Sequence, residues 1–216
     1  MQIGPAGKTS LVASGSGDYR GTTRAGGNVA AVARTASDTG TLWAATTTGR
    51  VFVSKNGDAT ASSVIYKRID NLPSATASPG RFVSGIYIDP ANPNNAWISY
   101  SSYSSLTPST PGHVFYVKYD PNANGGTGDA TWTSLDGAGA TAFPDFPATG
   151  IAHDSNGDLY VSNDWSVLVR PNGSNDWGVA GSGLPMVEVV GVTIVPGARK
   201  LYAATHGRSA WVLQLP

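Results

Sequence analysis

The sequence predicts an all-β chain, and three observations carry that expectation. Gly, Ser, Thr, Asn, Asp and Pro crowd between short apolar runs, with 27 Gly and 14 Pro in 216 residues. Glu188 is the only glutamate among 14 acidic residues, whereas helical surfaces draw heavily on Glu and Lys. The apolar runs recur in a fixed order, four times along the chain.

The first repeat opens with Val29-Ala-Ala-Val32 and continues with Thr41-Leu-Trp-Ala-Ala-Thr46, Gly49-Arg-Val-Phe-Val-Ser54 and Tyr66-Lys-Arg-Ile69. The second carries Val83-Ser-Gly-Ile86, Asn95-Ala-Trp-Ile-Ser-Tyr100, Gly112-His-Val-Phe-Tyr-Val117 and Trp132-Thr-Ser-Leu135. The third carries Ala148-Thr-Gly-Ile151, Asp158-Leu-Tyr-Val-Ser-Asn163, Ser166-Val-Leu-Val-Arg170 and Trp177-Gly-Val-Ala180. The fourth has Val189-Val-Gly-Val192, Lys200-Leu-Tyr-Ala-Ala-Thr205 and Ser209-Ala-Trp-Val-Leu213, with no fourth run after it.

Two columns stay in step through the repeats. A small residue holds the third place of the first run: Ala31, Gly85, Gly150, Gly191. That spacing predicts close approach of a neighbouring chain segment. An aromatic holds the third place of the second run: Trp43, Trp97, Tyr160, Tyr202. These read as core between neighbouring units. Four short strands per unit, at roughly 40–60 residues, predict a β-propeller of about four four-stranded blades. The chain reads as one domain, 1–216, with repeats at about 27–73, 81–137, 146–183 and 187–216. A strand at 8–14 is a candidate to complete the last blade and close the ring. The alternatives are part of a larger propeller or half of a dimeric ring.

Composition excludes several functions. Lys plus Arg and Asp plus Glu both total 14, so the net charge is zero. That argues against general nucleic-acid or anionic-membrane binding. No cysteine is present, so thiolate metal sites, Fe–S clusters and Cys nucleophiles are ruled out. No apolar run is long enough to span a bilayer as a helix, and Met1-Gln-Ile-Gly-Pro5 lacks the pattern of a signal peptide. Gly4-Pro-Ala-Gly-Lys-Thr9 lacks the first glycine of a phosphate-binding loop. Asp154-Ser-Asn-Gly-Asp158 reads as a hairpin turn, because Trp165 stands where a calcium loop needs Glu. The three histidines fall in different repeats, and no cofactor is expected.

The hairpins Ser54-Lys-Asn-Gly-Asp58, Tyr119-Asp-Pro-Asn122 and Arg170-Pro-Asn-Gly-Ser-Asn-Asp-Trp177 resemble the Asp-box, or bacterial neuraminidase repeat, of sialidases and xyloglucan-cleaving hydrolases. The endings Leu42-Trp-Ala-Ala-Thr46 and Leu201-Tyr-Ala-Ala-Thr-His-Gly-Arg208 are similar to that superfamily too. The resemblance covers about residues 27–216. It implies a propeller, a carbohydrate partner and an extracellular setting, against which the missing signal peptide leaves a cytoplasmic one open. The sialidase set of three arginines with a Tyr/Glu pair has no residue-by-residue match.

In a propeller, loops joining the second and third strands and loops entering the first strand converge on one face. The first set supplies Thr46 to Arg50, Tyr100 to His113, Asn163 to Trp165 and Thr205 to Arg208; the second supplies Arg24 to Asn28, Arg81, Asp145 and Glu188. Carboxylates beside aromatics suit a sugar, which offers hydroxyls and apolar faces. The sequence therefore points to a glycoside hydrolase with a carboxylate pair drawn from Asp164, Glu188 and Asp145. His206, Arg208, Trp165, Arg81, Arg50, Tyr100 and His113 are the expected substrate contacts. The alternative is a non-catalytic propeller that binds a glycan or a protein on the same face. A homodimer is expected if one chain does not close the ring.

Overall fold

The computed structural model describes residues 27–216. The 8–14 strand lies outside the described residues, as do Arg24, Ala25 and Gly26 of the expected loop set. Among the described residues, fifteen strands form four antiparallel sheets, three of four strands and one of three. Blade 1 holds β1 (Val29–Thr35), β2 (Asp38–Thr46), β3 (Val51–Ser54) and β4 (Lys67–Arg68). Blade 2 holds β5 (Val83–Ile88), β6 (Asn95–Tyr100), β7 (Val114–Asp120) and β8 (Asp129–Ser134). Blade 3 holds β9 (Ala148–His153), β10 (Leu159–Asn163), β11 (Val167–Arg170) and β12 (Gly178–Val179). Blade 4 holds β13 (Val189–Val195), β14 (Lys200–Thr205) and β15 (Ala210–Gln214). Each sheet follows chain order, so every connection is a hairpin. The fold is a four-bladed β-propeller.

The innermost strands set the arrangement. β1 packs on β5, β5 on β9 and β9 on β13. Each inner pair carries a register shift at the same place, between Val29 and Ala31, Val83 and Gly85, Ser162 and Asn163, and Val189 and Gly191. Such a bulge twists the strand and turns its backbone toward the next blade. The small column stands at this point. A Cβ on Gly85 would lie 2.9 Å from Ile151 Cγ2, and one on Gly150 would lie 3.2 Å from Gly191 Cα. Both approaches are tight enough that any side chain there would force the neighbouring strand to shift.

Behind the small column sits the aromatic column, and it points the same way. Trp43 is fully buried and its Nε1 donates to Pro93 O of blade 2 at 2.9 Å. Trp97 stacks on His153 of blade 3, with centroids 4.2 Å apart. Tyr160 packs with Val189, Leu201 and Leu215 of blade 4. Among the described residues the core is therefore three clusters, one per joint, with a fourth on the other face of blade 1, rather than one central mass.

The fourth joint differs. Among the described residues, no comparable pairing brings β13 back to β1. A Cβ on Gly191 meets nothing within 4 Å, and Tyr202 is 41 % exposed. The four blades thus form an arc whose last face stands open.

Two outcomes test this account. Trp43→Ala removes a buried indole and is expected to cost about 3–5 kcal/mol, read as a lower urea midpoint, with Trp43→Phe losing much less. His153 between Trp97 and Tyr87 has its pKa lowered from 6.5 by burial, against the opposing pull of Asp154, Asp89 and Asp158. The folded state therefore prefers the neutral ring. Stability is expected to be full above about pH 6.5 and to fall as the pH drops through the depressed value, and His153→Gln should flatten that slope in thermal melts.

Candidate functional site

The two loop sets meet as the topology requires. Thr47 N donates to Asn28 O at 2.9 Å, Ser101 N to Phe82 O at 2.8 Å and His206 N to Glu188 O at 2.9 Å. Each bond ties a β2–β3-type loop to the entry loop of its own blade. Bonds to the following blade lock the face together. Ser104 N donates to Asp145 Oδ1 at 2.7 Å, and Val187 N donates to Trp165 O at 3.2 Å.

Asp164, Glu188 and His206 come together. His206 Nδ1 lies 2.9 Å from Glu188 Oε2. Asp164 has a raised pKa, chiefly because partial burial disfavours its charge and then because Glu188 is close. Trp165 is 45 % exposed and lies against Phe146, with centroids 5.6 Å apart and planes 36° apart. The chain thus places an acid inclined to hold its proton, a carboxylate paired with a histidine and a pair of aromatic rings on one rim. Arg208 is exposed on the same turn, its carbonyl accepting from Trp211 Nε1 at 2.9 Å.

Asp145 belongs to a second group. Its Oδ1 accepts from Ser104 N and lies 3.2 Å from His113 Nε2. His113 is itself buried at 1 % exposure, and its Nδ1 is 3.3 Å from Asp136 Oδ2. Asp136 also accepts from the backbone of His113 at 2.9 Å and of Val114 at 2.8 Å. Arg81 is buried alongside, where burial lowers its pKa and Asp145 and Asp136 oppose that effect. Its Nη1 donates to Tyr103 O at 3.0 Å and to Thr107 Oγ1 at 3.2 Å, and its Nη2 donates to Gly112 O. Arg81 and His113 therefore hold the long 101–112 loop from beneath.

Tyr100 is fully buried, and its hydroxyl accepts from Trp132 Nε1 at 2.9 Å. Its place in the blade 2 core keeps it from a ligand on the face. Arg50 is half-buried in the blade 1 loop, next to Gly49, whose backbone lies against Gly80 and Arg81. Asp136 and Phe146 were not among the expected residues. Asp136 follows a strand end that reads as a turn. Phe146 was legible as an aromatic beside Asp145 within Phe143-Pro-Asp-Phe-Pro147.

The calcium-like run is a hairpin turn. Asp154 Oδ1 accepts from Asn156 N at 2.8 Å and Asp158 N at 3.0 Å, and its other oxygen pairs with Arg199 at 3.0 Å. Among the described residues, no group of three or more His, Cys, Asp or Glu is placed to hold a metal ion.

No protein-family model matches the sequence, and no curated protein matches it. Solved structures do share the fold. The computationally designed Ika4 protein aligns with a TM-score of 0.55 and 11% identity, over 88% of this chain and 93% of that one. The β-propeller domain of Cps50 (Swd1) from Myceliophteria thermophila aligns with a TM-score of 0.56 and 11% identity, over 88% of this chain and 53% of that one. The extracellular domain of BT4673 from B. thetaiotaomicron aligns with a TM-score of 0.54 and 17% identity, over 86% of this chain and 21% of that one. This chain therefore spans about half of the first natural propeller and a fifth of the second. Likeness at these identities is likeness of fold.

Removing Asp136 isolates the second group from the first. Asp136→Ala leaves two backbone N–H groups unpaired and is expected to cost about 2–4 kcal/mol, seen in chemical unfolding. Asp145→Ala is expected to cost under about 1 kcal/mol, because its side chain is 55% exposed and its loss frees chiefly the exposed loop.

Proposed function

We propose that this face binds carbohydrate and that Asp164 and Glu188 act together on a glycosidic bond. The observation that carries the reading is their convergence with His206 beside the Trp165–Phe146 rings. The exposed indole offers a flat apolar surface to the C–H face of a sugar, while the carboxylates and Arg208 offer partners for its hydroxyls. Asp164, whose proton is held more tightly, donates to the leaving oxygen as the bond to the anomeric carbon breaks. Glu188, whose Oε2 lies 2.9 Å from His206 Nδ1, stabilises the cationic sugar and takes the proton of the incoming water. Asp145 shapes the site by fixing the 101–112 loop rather than joining the pair.

The hairpins that resemble Asp-boxes support the reading. In the first, Asn56 Oδ1 accepts from Ile65 N at 2.9 Å and from Ser54 Oγ at 3.1 Å, a polar knot at the turn. An extracellular setting fits this role. A second reading, recognition of a glycan or a protein without turnover, is favoured by openness alone: the Glu188 and His206 side chains are 41% and 77% exposed.

Hydrolysis of a panel of chromogenic glycosides separates the two. Asp164→Asn and Glu188→Gln are each expected to lower kcat by about 100-fold or more with KM little changed. Turnover should fall as the pH rises through the elevated Asp164 pKa, and Asp164→Asn should remove that limb. Trp165→Ala should raise KM by about tenfold. Binding on a glycan array with no turnover by the wild type would establish recognition instead, and neither binding nor turnover would sink both readings.

A further inference from the structure

The same joint is made three times in this chain and left unmade once. At two finished joints a glycine of the small column meets the strand of the next blade, Gly85 meeting Ile151 and Gly150 meeting Gly191 and Val192, and at the first joint Ala31 of that column packs on the shared cluster. Each finished joint also receives an aromatic from the blade before it, namely Trp43, Trp97 and Tyr160. On blade 4 both devices are present and idle. Gly191 has open space before it, and Tyr202 is 41%, Val190 51% and Val212 56% exposed. Monomeric proteins rarely leave a continuous apolar face of this kind to water.

The receiving half of the joint is idle at the other end. Val32 stands in the column of Ile151 and Val192, and it is 37% exposed, with Val29 at 40%. Ile151, in the same column, is 9% exposed. Farther out on blade 1, Leu42, Ala44 and Phe52 already pack with Tyr66 and Val64 of the same blade, so the free seat is the inner strand.

We propose that two copies of this chain close one ring, the open face of blade 4 in each seating on β1 of the other. The contact is head to tail, and two such contacts related by a two-fold axis complete an eight-bladed circle. Three features select this occupant. The face is shaped for an inner strand bearing a small column and an apolar receiver, and among the described residues β1 is the one such strand without a blade before it. The four blades fill 53% of a single natural propeller domain, so their arc has the span of about half a ring. Zero net charge leaves no bulk repulsion between copies. The inference is independent of the sugar-binding reading. It has a bearing on the site, because the His206–Arg208 turn would then lie beside the blade 1 loops of the second copy.

The test is sedimentation equilibrium of the full 216-residue chain. A particle of twice the 22.2 kDa chain mass is expected. Gly191→Arg and Val32→Arg each block one half of the joint, and each is expected to weaken dimerisation by about 100-fold or more while leaving the far-UV circular dichroism unchanged. An equimolar mixture of the two variants decides the geometry. It pairs one intact blade 4 face with one intact β1, so it should recover dimer that neither variant forms alone. A wild-type monomer at high micromolar concentration overturns the proposal, as would a dimer indifferent to Val32→Arg or an open-ended series of larger oligomers. Should Gly191→Arg fail to fold, Tyr202→Lys on the same face replaces it with the same expected result.

Discussion

At two places in this chain, between β5 and β9 and between β9 and β13, neighbouring inner strands approach so closely that a methyl group would meet the next blade at about 3 Å. Most of the fold follows from that approach. It favours a small residue in the third place of the run, Gly at these two joints and Ala31 at the first, and the bulge beside it aims the strand at its neighbour. It also brings the aromatic column within reach of the next blade's hairpin. Radial placement of the blades, and hence the meeting of loops from distant parts of the sequence, is a consequence. The burial is dispersed over a separate cluster at each of the three joints and a fourth within blade 1, so each joint contributes locally.

The candidate face divides into a rigid half and an open half. On blades 2 and 3, Arg81 and His113 are buried and, with the half-buried Asp136, make their hydrogen bonds under the long loop, where water competes weakly. On blades 3 and 4, Asp164, Glu188 and His206 lie at the rim with much of their polar surface free. Phe146 and Trp165 span the boundary. A ligand on the open half would rest on a platform whose position is fixed from the rigid half.

Repetition made the fold legible in the sequence. A small residue and an aromatic recurring at fixed places carry information that any single strand lacks, and the blade order, hairpins and strand positions follow from it. Loop chemistry was only partly legible. Asp164, Glu188 and Trp165 could be assigned to one face because strand ends fix which way a loop leaves. Tyr100 and His113 could not be told apart from site residues, because burial at a strand end depends on what the neighbouring blade places over it. Asp136 gave no signal at all, since a carboxylate that receives backbone N–H groups looks in sequence like any turn aspartate. The open fourth joint was equally hidden: Gly191 and Tyr202 obey their columns, and only coordinates reveal that nothing meets them.

The footing of the 101–112 loop has a practical meaning. Arg81 grips the loop through Tyr103 O, Thr107 and Gly112 O, near its start, middle and end, while Leu106 at its crest is 69% exposed. Residues between the grips can therefore vary in size and chemistry without unsettling the sheets below. That makes the crest a natural graft point, where a foreign peptide or a new recognition sequence could be displayed on a preset frame.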